Sequence, residues 1–246
     1  MEKIISLSNE LIKHIYSLSQ KKNRIEYKEY MLEGYHLVNE AYKLGLLKIV
    51  LSTNPKDLIY KDVRQIVVSE AIISKLSTTK TPQKIIGVCK IDEKEIDWND
   101  KYYVVLDNVS DPGNMGTIIR TSIALGVKNI YISSDSVDYT NEKVIRATQG
   151  TIFKANIKIL DLNDIYAALK QHNINVVVTS LNTSTNIKDV KRLDSFALVV
   201  GNEANGISET SKLNAFKNIT IPMKNNTESL NVSIAFGIAL FELLNK

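Results

Sequence analysis

The stretch that decides the fold reads Tyr102-Tyr103-Val104-Val105-Leu106, then Asp107-Asn108-Val109-Ser110-Asp111-Pro112-Gly113-Asn114-Met115-Gly116-Thr117-Ile118-Ile119-Arg120-Thr121. The first five residues form a short apolar run without alternation, the pattern of a strand buried on both faces. Asp-Pro-Gly is turn chemistry, and the apolar spacing after it predicts a helix from about Met115 to Leu125, stopped by Gly126. Ile130-Tyr131-Ile132 predicts the next strand. Strand, loop, helix and strand in this order specify a mostly parallel sheet covered by helices.

Toward the C-terminus the same pattern continues, with strands predicted at Val176-Val177-Val178 and Ala197-Leu198-Val199-Val200. A last helix is predicted over Val232 to Leu244, with Val232, Ala235, Phe236, Ala239, Leu240, Leu243 and Leu244 on one apolar face. Toward the N-terminus the elements are shorter and mixed. Helices are predicted over Leu11 to Leu18 and Tyr35 to Leu44, and strands at Ile49-Val50-Leu51, Ile66-Val67-Val68 and Ile85 to Val88. The charged, aperiodic run Asp92 to Asp100 separates the two regions, with Trp98 expected to pack part of it. Two domains follow, residues 1–95 as a small α/β unit and residues 101–246 as a larger α/β domain.

Charge divides at the same place. Up to Lys90 the chain carries fifteen Lys and Arg against nine Asp and Glu, a net of +6; the remainder carries sixteen against eighteen, a net of −2. A basic module joined to a near-neutral domain suits a polyanion partner, although lysine-rich solvation has the same signature. One cysteine, Cys89, excludes an internal disulfide, and His14, His36 and His172 share no metal-ligand spacing with it. No basic N-terminal segment precedes an apolar run, and no stretch has the length of a membrane span, so a cytosolic location is expected.

Three loops follow strand ends, where ligands bind in open α/β sheets. In the first, Asn114 sits near a helix start and Arg120 follows; an arginine close to a helix N-terminus invites an anionic ligand. Read alone, these residues serve equally as a helix cap and a solvated charge. The second is Gly201-Asn202-Glu203-Ala204-Asn205-Gly206-Ile207-Ser208, which lacks the Lys-Ser/Thr of a P-loop. No G-x-G-x-x-G occurs. The third runs Ile219-Thr220-Ile221-Pro222-Met223-Lys224 and on through Asn225-Asn226-Thr227-Glu228-Ser229-Leu230-Asn231-Val232-Ser233 into the last helix. Ser229 or Asn231 can cap that helix, and the Ser-x-Asn-x-Ser series also points several polar groups at one place.

Together the loops resemble, in order and spacing, the three signature motifs of the SpoU/TrmH branch of the SPOUT RNA methyltransferases. Asn114 to Arg120 matches the first, Gly201-Asn202-Glu203 with Gly206 the second, and Ile221-Pro222-Met223 with Ser229-Leu230-Asn231-Val232-Ser233 the third. Val144-Ile145-Arg146-Ala147-Thr148-Gln149-Gly150-Thr151-Ile152-Phe153 resembles the family's Arg-Ala-Ser-x-Gly-x-Phe segment, with Thr148 where Ser is usual. More loosely, Lys22-Asn23-Arg24, Leu32-Glu33-Gly34 and Thr81-Pro82-Gln83 are similar to the family's substrate-binding module, itself like ribosomal proteins that bind kinked RNA.

The resemblance implies a C-terminal α/β domain tied in a trefoil knot, a homodimer, and S-adenosyl-L-methionine as cofactor. The cofactor would lie against Ser180, Leu181, Gly201, Ile221, Met223 and Leu230, and Arg120, Asn114, Glu203, Ser229 and Asn231 would surround the reacting centre. Lys21, Lys22, Arg24, Lys80 and Lys84 would grip RNA phosphates. The implied reaction is methylation of a ribose 2′-hydroxyl, with ribosomal RNA favoured over transfer RNA and over a non-catalytic RNA-binding role. A guanidinium stays protonated, so Arg120 is read as a phosphate clamp or a stabiliser of the developing alkoxide.

Overall fold

The structure, a computed structural model, describes residues 2–181, 183, 185–225 and 228–246. In chain order the elements are β1 (Glu2–Ile4), α1 (Glu10–Ser17), α2 (Lys21–Tyr27), β2 (Glu29–Glu33), α3 (Tyr35–Lys43), β3 (Leu47–Ser52), β4 (Arg64–Val68), α4 (Glu70–Leu76) and β5 (Ile85–Lys90). There follow β6 (Tyr102–Leu106), α5 (Pro112–Ala124), β7 (Asn129–Ser133), α6 (Glu142–Thr148), β8 (Asn156–Leu160), α7 (Leu162–Gln171), β9 (Asn175–Thr179), β10 (Phe196–Val200), α8 (Glu209–Leu213), β11 (Lys217–Ile219) and α9 (Val232–Leu244). They form two compact units: Met1–Asp92 with Asp138–Phe153, and Glu93–Val137 with Lys154–Lys246.

The first unit is built on a five-stranded mixed sheet, ordered β1-β4-β3-β5-β2. Strands β1, β4 and β3 run parallel, and β5 is antiparallel to β3 and to β2. Its core gathers Ile12 and Ile15 of α1, Leu51 and Ile66 of the sheet, and Ile72 of α4, all essentially without solvent contact. Each such side chain contributes roughly 1.5–3 kcal/mol by leaving water. Asn9 caps α1 by accepting the Leu11 N–H, and Ser69 caps α4 by accepting the Ile72 N–H.

The segment 138–153 joins this unit through a buried arginine. Arg24 on α2 is 5% exposed. Its Nη2 lies 2.6 Å from Asp138 Oδ2, its Nε donates to Thr140 Oγ1 at 3.0 Å, and its Nη1 donates to the Leu18 and Ser19 carbonyls at 2.9 Å each. The expectation that Arg24 grips RNA phosphate is therefore corrected: every nitrogen of its guanidinium is already used inside the unit. Lys21, Lys22, Lys80 and Lys84 are exposed.

The second unit is a six-stranded sheet, ordered β11-β9-β10-β6-β7-β8, with every pairing parallel, as the unalternating apolar runs predict. From β6 the chain steps outward through β7 to β8, whereas β10 and β9 lie on the other side of β6. The strand order reverses between β6 and β10, and such a switch point opens a crevice at the carboxyl ends of the two strands. Trp98 packs as expected, stacking on His172 with ring centroids 3.7 Å apart and lying 5.5 Å from the Tyr103 ring. Helix α9 packs on α5 and buries Ser233, Phe236, Ala239, Leu240 and Leu243, while Ile234, Ile238 and Phe241 remain exposed. It is apolar on every side, so one face is left uncovered. Cys89 is buried, which raises its thiol. Among the described residues no helix is long and apolar enough to cross a membrane, and no cluster of His, Cys, Asp or Glu is arranged to hold a metal ion.

Candidate active site

The loops after β6 and β10 face each other across the switch point, where Leu106 and Val200 end in register. Asp107 begins the stitching between them. It is buried; its N–H donates to the Val200 carbonyl, and its Oδ2 accepts the Ser208 N–H at 2.9 Å and the Ser211 hydroxyl at 2.6 Å. Asn202 Nδ2 donates to the Asn108 carbonyl at 2.9 Å. Its Oδ1 accepts the N–H groups of Ala204 and Asn205, holding the second loop in a tight turn. A Cβ on Gly201 would stand 2.3 Å from the Gly206 carbonyl oxygen, so only glycine lets the two limbs of that turn approach so closely.

Glu203 is the central acceptor. One carboxylate oxygen takes the Ser110 hydroxyl at 2.9 Å and the Ser110 N–H at 3.3 Å; the other takes the Asp111 N–H at 3.2 Å and Asn114 Nδ2 at 3.0 Å. Partial burial works to raise its pKa, but hydrogen bonds from Asn114, its own backbone and Ser110 outweigh it and hold the carboxyl at about 2. A carboxylate so weakly basic orients its neighbours and does not take a proton near neutral pH.

Helix α5 begins at Pro112, not near Met115 as the turn chemistry suggested. Asp111 is its cap, accepting the Asn114 N–H at 2.7 Å, and Pro112 occupies the first helical position, where its missing N–H costs nothing. Asn114 thus does not cap the helix, and its side chain is free to bridge. Its Oδ1 accepts from Asn231 Nδ2 at 3.0 Å while its Nδ2 donates to Glu203. Asn231 caps α9 by accepting the Ser233 N–H at 2.9 Å. The chain Glu203, Asn114, Asn231 ties together all three loops that the sequence singles out.

Arg120 is outside this chain. It lies in the third turn of α5, not close to the helix N-terminus as expected, and there the helix dipole no longer draws an anion to it. Six residues on from Asn114, it sits about 120° round the helix from it. It is exposed and has no side-chain hydrogen-bond partner among the described residues. Ser229 is exposed close to Asn231. Of the proposed cofactor residues, Ser180 donates its N–H to the Ile219 carbonyl at 2.8 Å, Gly201 is buried, and Ile221 and Met223 are half-buried. Leu181 and Leu230 are 61% and 36% exposed. Asn226 and Thr227 of the third loop lie outside the described residues. Asp107, Ser110 and Asn202 were missed by sequence reasoning; their only signal was position beside the Asp-Pro and Gly-Asn-Glu turns.

The SpoU rRNA Methylase family matches residues 101–241 of the chain, and the MRM3-like substrate binding domain matches residues 9–87. The chain is 32% identical over 99% of its length to the Bacillus subtilis 23S rRNA (guanosine(2553)-2′-O)-methyltransferase RlmP, covering 99% of that protein. It is 28% identical to the 23S rRNA (adenosine(1067)-2′-O)-methyltransferase of Streptomyces azureus, over 73% of this chain and 69% of that one. The AdoMet-bound rRNA methyltransferase from Sinorhizobium meliloti superposes with a TM-score of 0.90 at 30% identity, covering 99% of this chain and 97% of the other. With its three motif loops joined at the switch point of a parallel sheet and more than half its length matched, the chain belongs to the SpoU rRNA methylase family.

Proposed function

We propose that this chain transfers a methyl group from S-adenosyl-L-methionine to a ribose 2′-hydroxyl of 23S ribosomal RNA. The observation that carries the reading is the hydrogen-bonded chain Glu203, Asn114, Asn231, which fixes the three motif loops at the crevice between β6 and β10. The loops suit the cofactor. An adenosine needs an apolar slot edged by backbone polar groups, and the loops after β9 and β11 leave apolar surface for one, with Leu181 and Leu230 exposed and Ile221 and Met223 half-buried. Ser180 lies at the end of β9, next to them.

The cofactor supplies an electrophilic methyl group. The residues of the chain have to align the hydroxyl with it and bear the charge that develops on oxygen. Glu203 fixes the amide of Asn114, whose Oδ1 in turn holds Asn231. Arg120, exposed and without a side-chain hydrogen-bond partner among the described residues, serves as the clamp on an RNA phosphate or as the cation facing the developing alkoxide. Ser229 lies at the entrance to α9.

Residues 1–95 act as the RNA-binding domain and residues 101–246 as the catalytic domain, although the segment 138–153 of the latter belongs to the first compact unit. The net positive charge of the first ninety residues and the exposed Lys21, Lys22, Lys80 and Lys84 support the first assignment. The C-terminal segment forms a trefoil knot, a reading supported by the position of β11 beyond β9 and by α9 returning to α5. The enzyme acts as a homodimer in the cytoplasm, with the uncovered stripe of Ile234, Ile238 and Phe241 on α9 as a self-complementary face.

The test is methyl incorporation from labelled S-adenosyl-L-methionine into RNA from cells lacking this gene, separated into ribosomal and transfer fractions. The expected result is one alkali-resistant linkage in 23S RNA, with Arg120→Ala slower by roughly 10²–10³-fold and cofactor binding intact. Label confined to transfer RNA, or none in either fraction, overturns the reading.

A further inference from the structure

Loop 77–84, between α4 and β5, carries two exposed lysines, Lys80 and Lys84, yet it is tied down along most of its length. The anchor is Glu33, the last residue of β2. Its carboxylate accepts the Ser77 hydroxyl at 2.8 Å, the Thr79 hydroxyl at 2.9 Å and the Gln83 N–H at 2.7 Å. Beside it, Gly34 has φ +108° and donates its N–H to the Ile85 carbonyl; a Cβ there would stand 2.6 Å from Gln83 Oε1. The Lys84 carbonyl accepts from Ser52 Oγ at 2.9 Å, and Arg146 Nη1 donates to Thr78 Oγ1 at 3.1 Å. Only residues 80–82 are left as a tip.

A carboxylate is the wrong charge for a surface that meets a polyanion, because at long range it repels phosphate. Three donors converging on it give a different reason for its presence. A mobile loop would lose conformational freedom when its lysines engage RNA, and a loop already ordered loses less. We propose that Glu33 is a positioning residue for the RNA substrate: it orders loop 77–84 in advance, so that Lys80 and Lys84 meet phosphates without an ordering cost. The inference rests on the RNA-methyltransferase reading above and adds a residue that acts through the loop, not on RNA itself.

The sign of the effect separates positioning from charge. By charge alone, Glu33→Gln makes the module more positive and tightens RNA binding. By positioning, it weakens binding about tenfold, the loss expected when one or two side chains must be immobilised on binding. The charge-neutral double variant Ser77→Ala/Thr79→Val removes two of the same hydrogen bonds and shifts affinity the same way. Binding of the full-length variants to 23S RNA is measured by filter retention over a range of salt, with thermal unfolding as a check on folding. Expected are a raised KM for RNA, an unchanged kcat at saturating RNA, and unchanged S-adenosyl-L-methionine affinity. Lys80→Ala/Lys84→Ala, by contrast, flattens the salt dependence by roughly two phosphate contacts. Wild-type binding with Glu33→Gln equal or tighter overturns the inference alone. Absence of both RNA binding and methyl transfer in the wild type overturns the function on which it rests.

Discussion

Arg24 and Arg120 carry similar expectations from the sequence: the family resemblance casts the first as a grip on RNA phosphate and the second as a phosphate clamp or a stabiliser of the developing alkoxide. In the structure they differ completely. Arg24 is closed in by Asp138, Thr140 and two backbone carbonyls, whereas Arg120 stands exposed on α5 without a hydrogen-bond partner among the described residues. A guanidinium has five donors in a fixed fork, and what matters is whether the protein has already used them. Arg24 organises its unit; among the described residues nothing occupies the donors of Arg120, which leaves them to a ligand.

The largest effect that tests this contrast is on stability. Arg24→Ala leaves the Asp138 carboxylate, 9% exposed, without its cation and frees the Leu18 and Ser19 carbonyls. Breaking a buried pair from one side costs about 3–5 kcal/mol. Denaturant unfolding of Arg24→Ala is expected to show that loss, while Arg120→Ala unfolds like the wild type. If Arg24→Ala instead keeps its stability and flattens the salt dependence of RNA binding, the contrast collapses and Arg24 is a phosphate contact.

The same contrast explains what could be read from the sequence. Apolar runs gave β6 and α9 with the bounds observed, because a buried parallel strand and a core-facing helix depend on residues close together in the chain. Strand β2 escaped notice because Glu29 and Glu33 bound it, and their acceptors are satisfied by distant residues: His14 and Lys48 for Glu29, the 77–83 loop for Glu33. The start of α5 was misplaced because Asp-Pro-Gly reads equally as a turn or as a cap with proline at the first helical position. At the site, motif spacing located Asn114, Glu203 and Asn231, but their mutual bonding spans 89 and 117 residues of sequence, which no local pattern encodes. The burial of Arg24 likewise depends on Asp138, 114 residues away.

A smaller effect probes the second motif loop and leaves Arg120 untouched. Gly201→Ala places a Cβ against the Gly206 carbonyl, which is backbone and can yield only if the whole turn opens. Overpacking of this kind costs about 1–3 kcal/mol. The expected outcome is weakened S-adenosyl-L-methionine binding by isothermal titration, with Arg120 present and exposed as before. Wild-type affinity in Gly201→Ala would mean that the close turn does not shape the cofactor site.

The smallest effect concerns Glu203, and it separates an orienting carboxylate from a base. Hydrogen bonding holds its folded-state pKa at about 2, below the ordinary 4.5. A carboxyl depressed on folding stabilises the protein at pH values above its unfolded pKa, and that contribution is lost as pH falls toward the folded value. Glu203 is exposed to solvent, so screening limits the contribution to less than about 1 kcal/mol. The stability difference between wild type and Glu203→Gln should be constant from neutral pH to about 5 and shrink between 4.5 and 2. Over the same series the neutral-pH limb of the rate profile should be shared by both proteins, since a group titrating near 2 is already ionised there. A limb near pH 6–7 that disappears in Glu203→Gln would make Glu203 the proton acceptor, leaving Arg120 to act on charge alone.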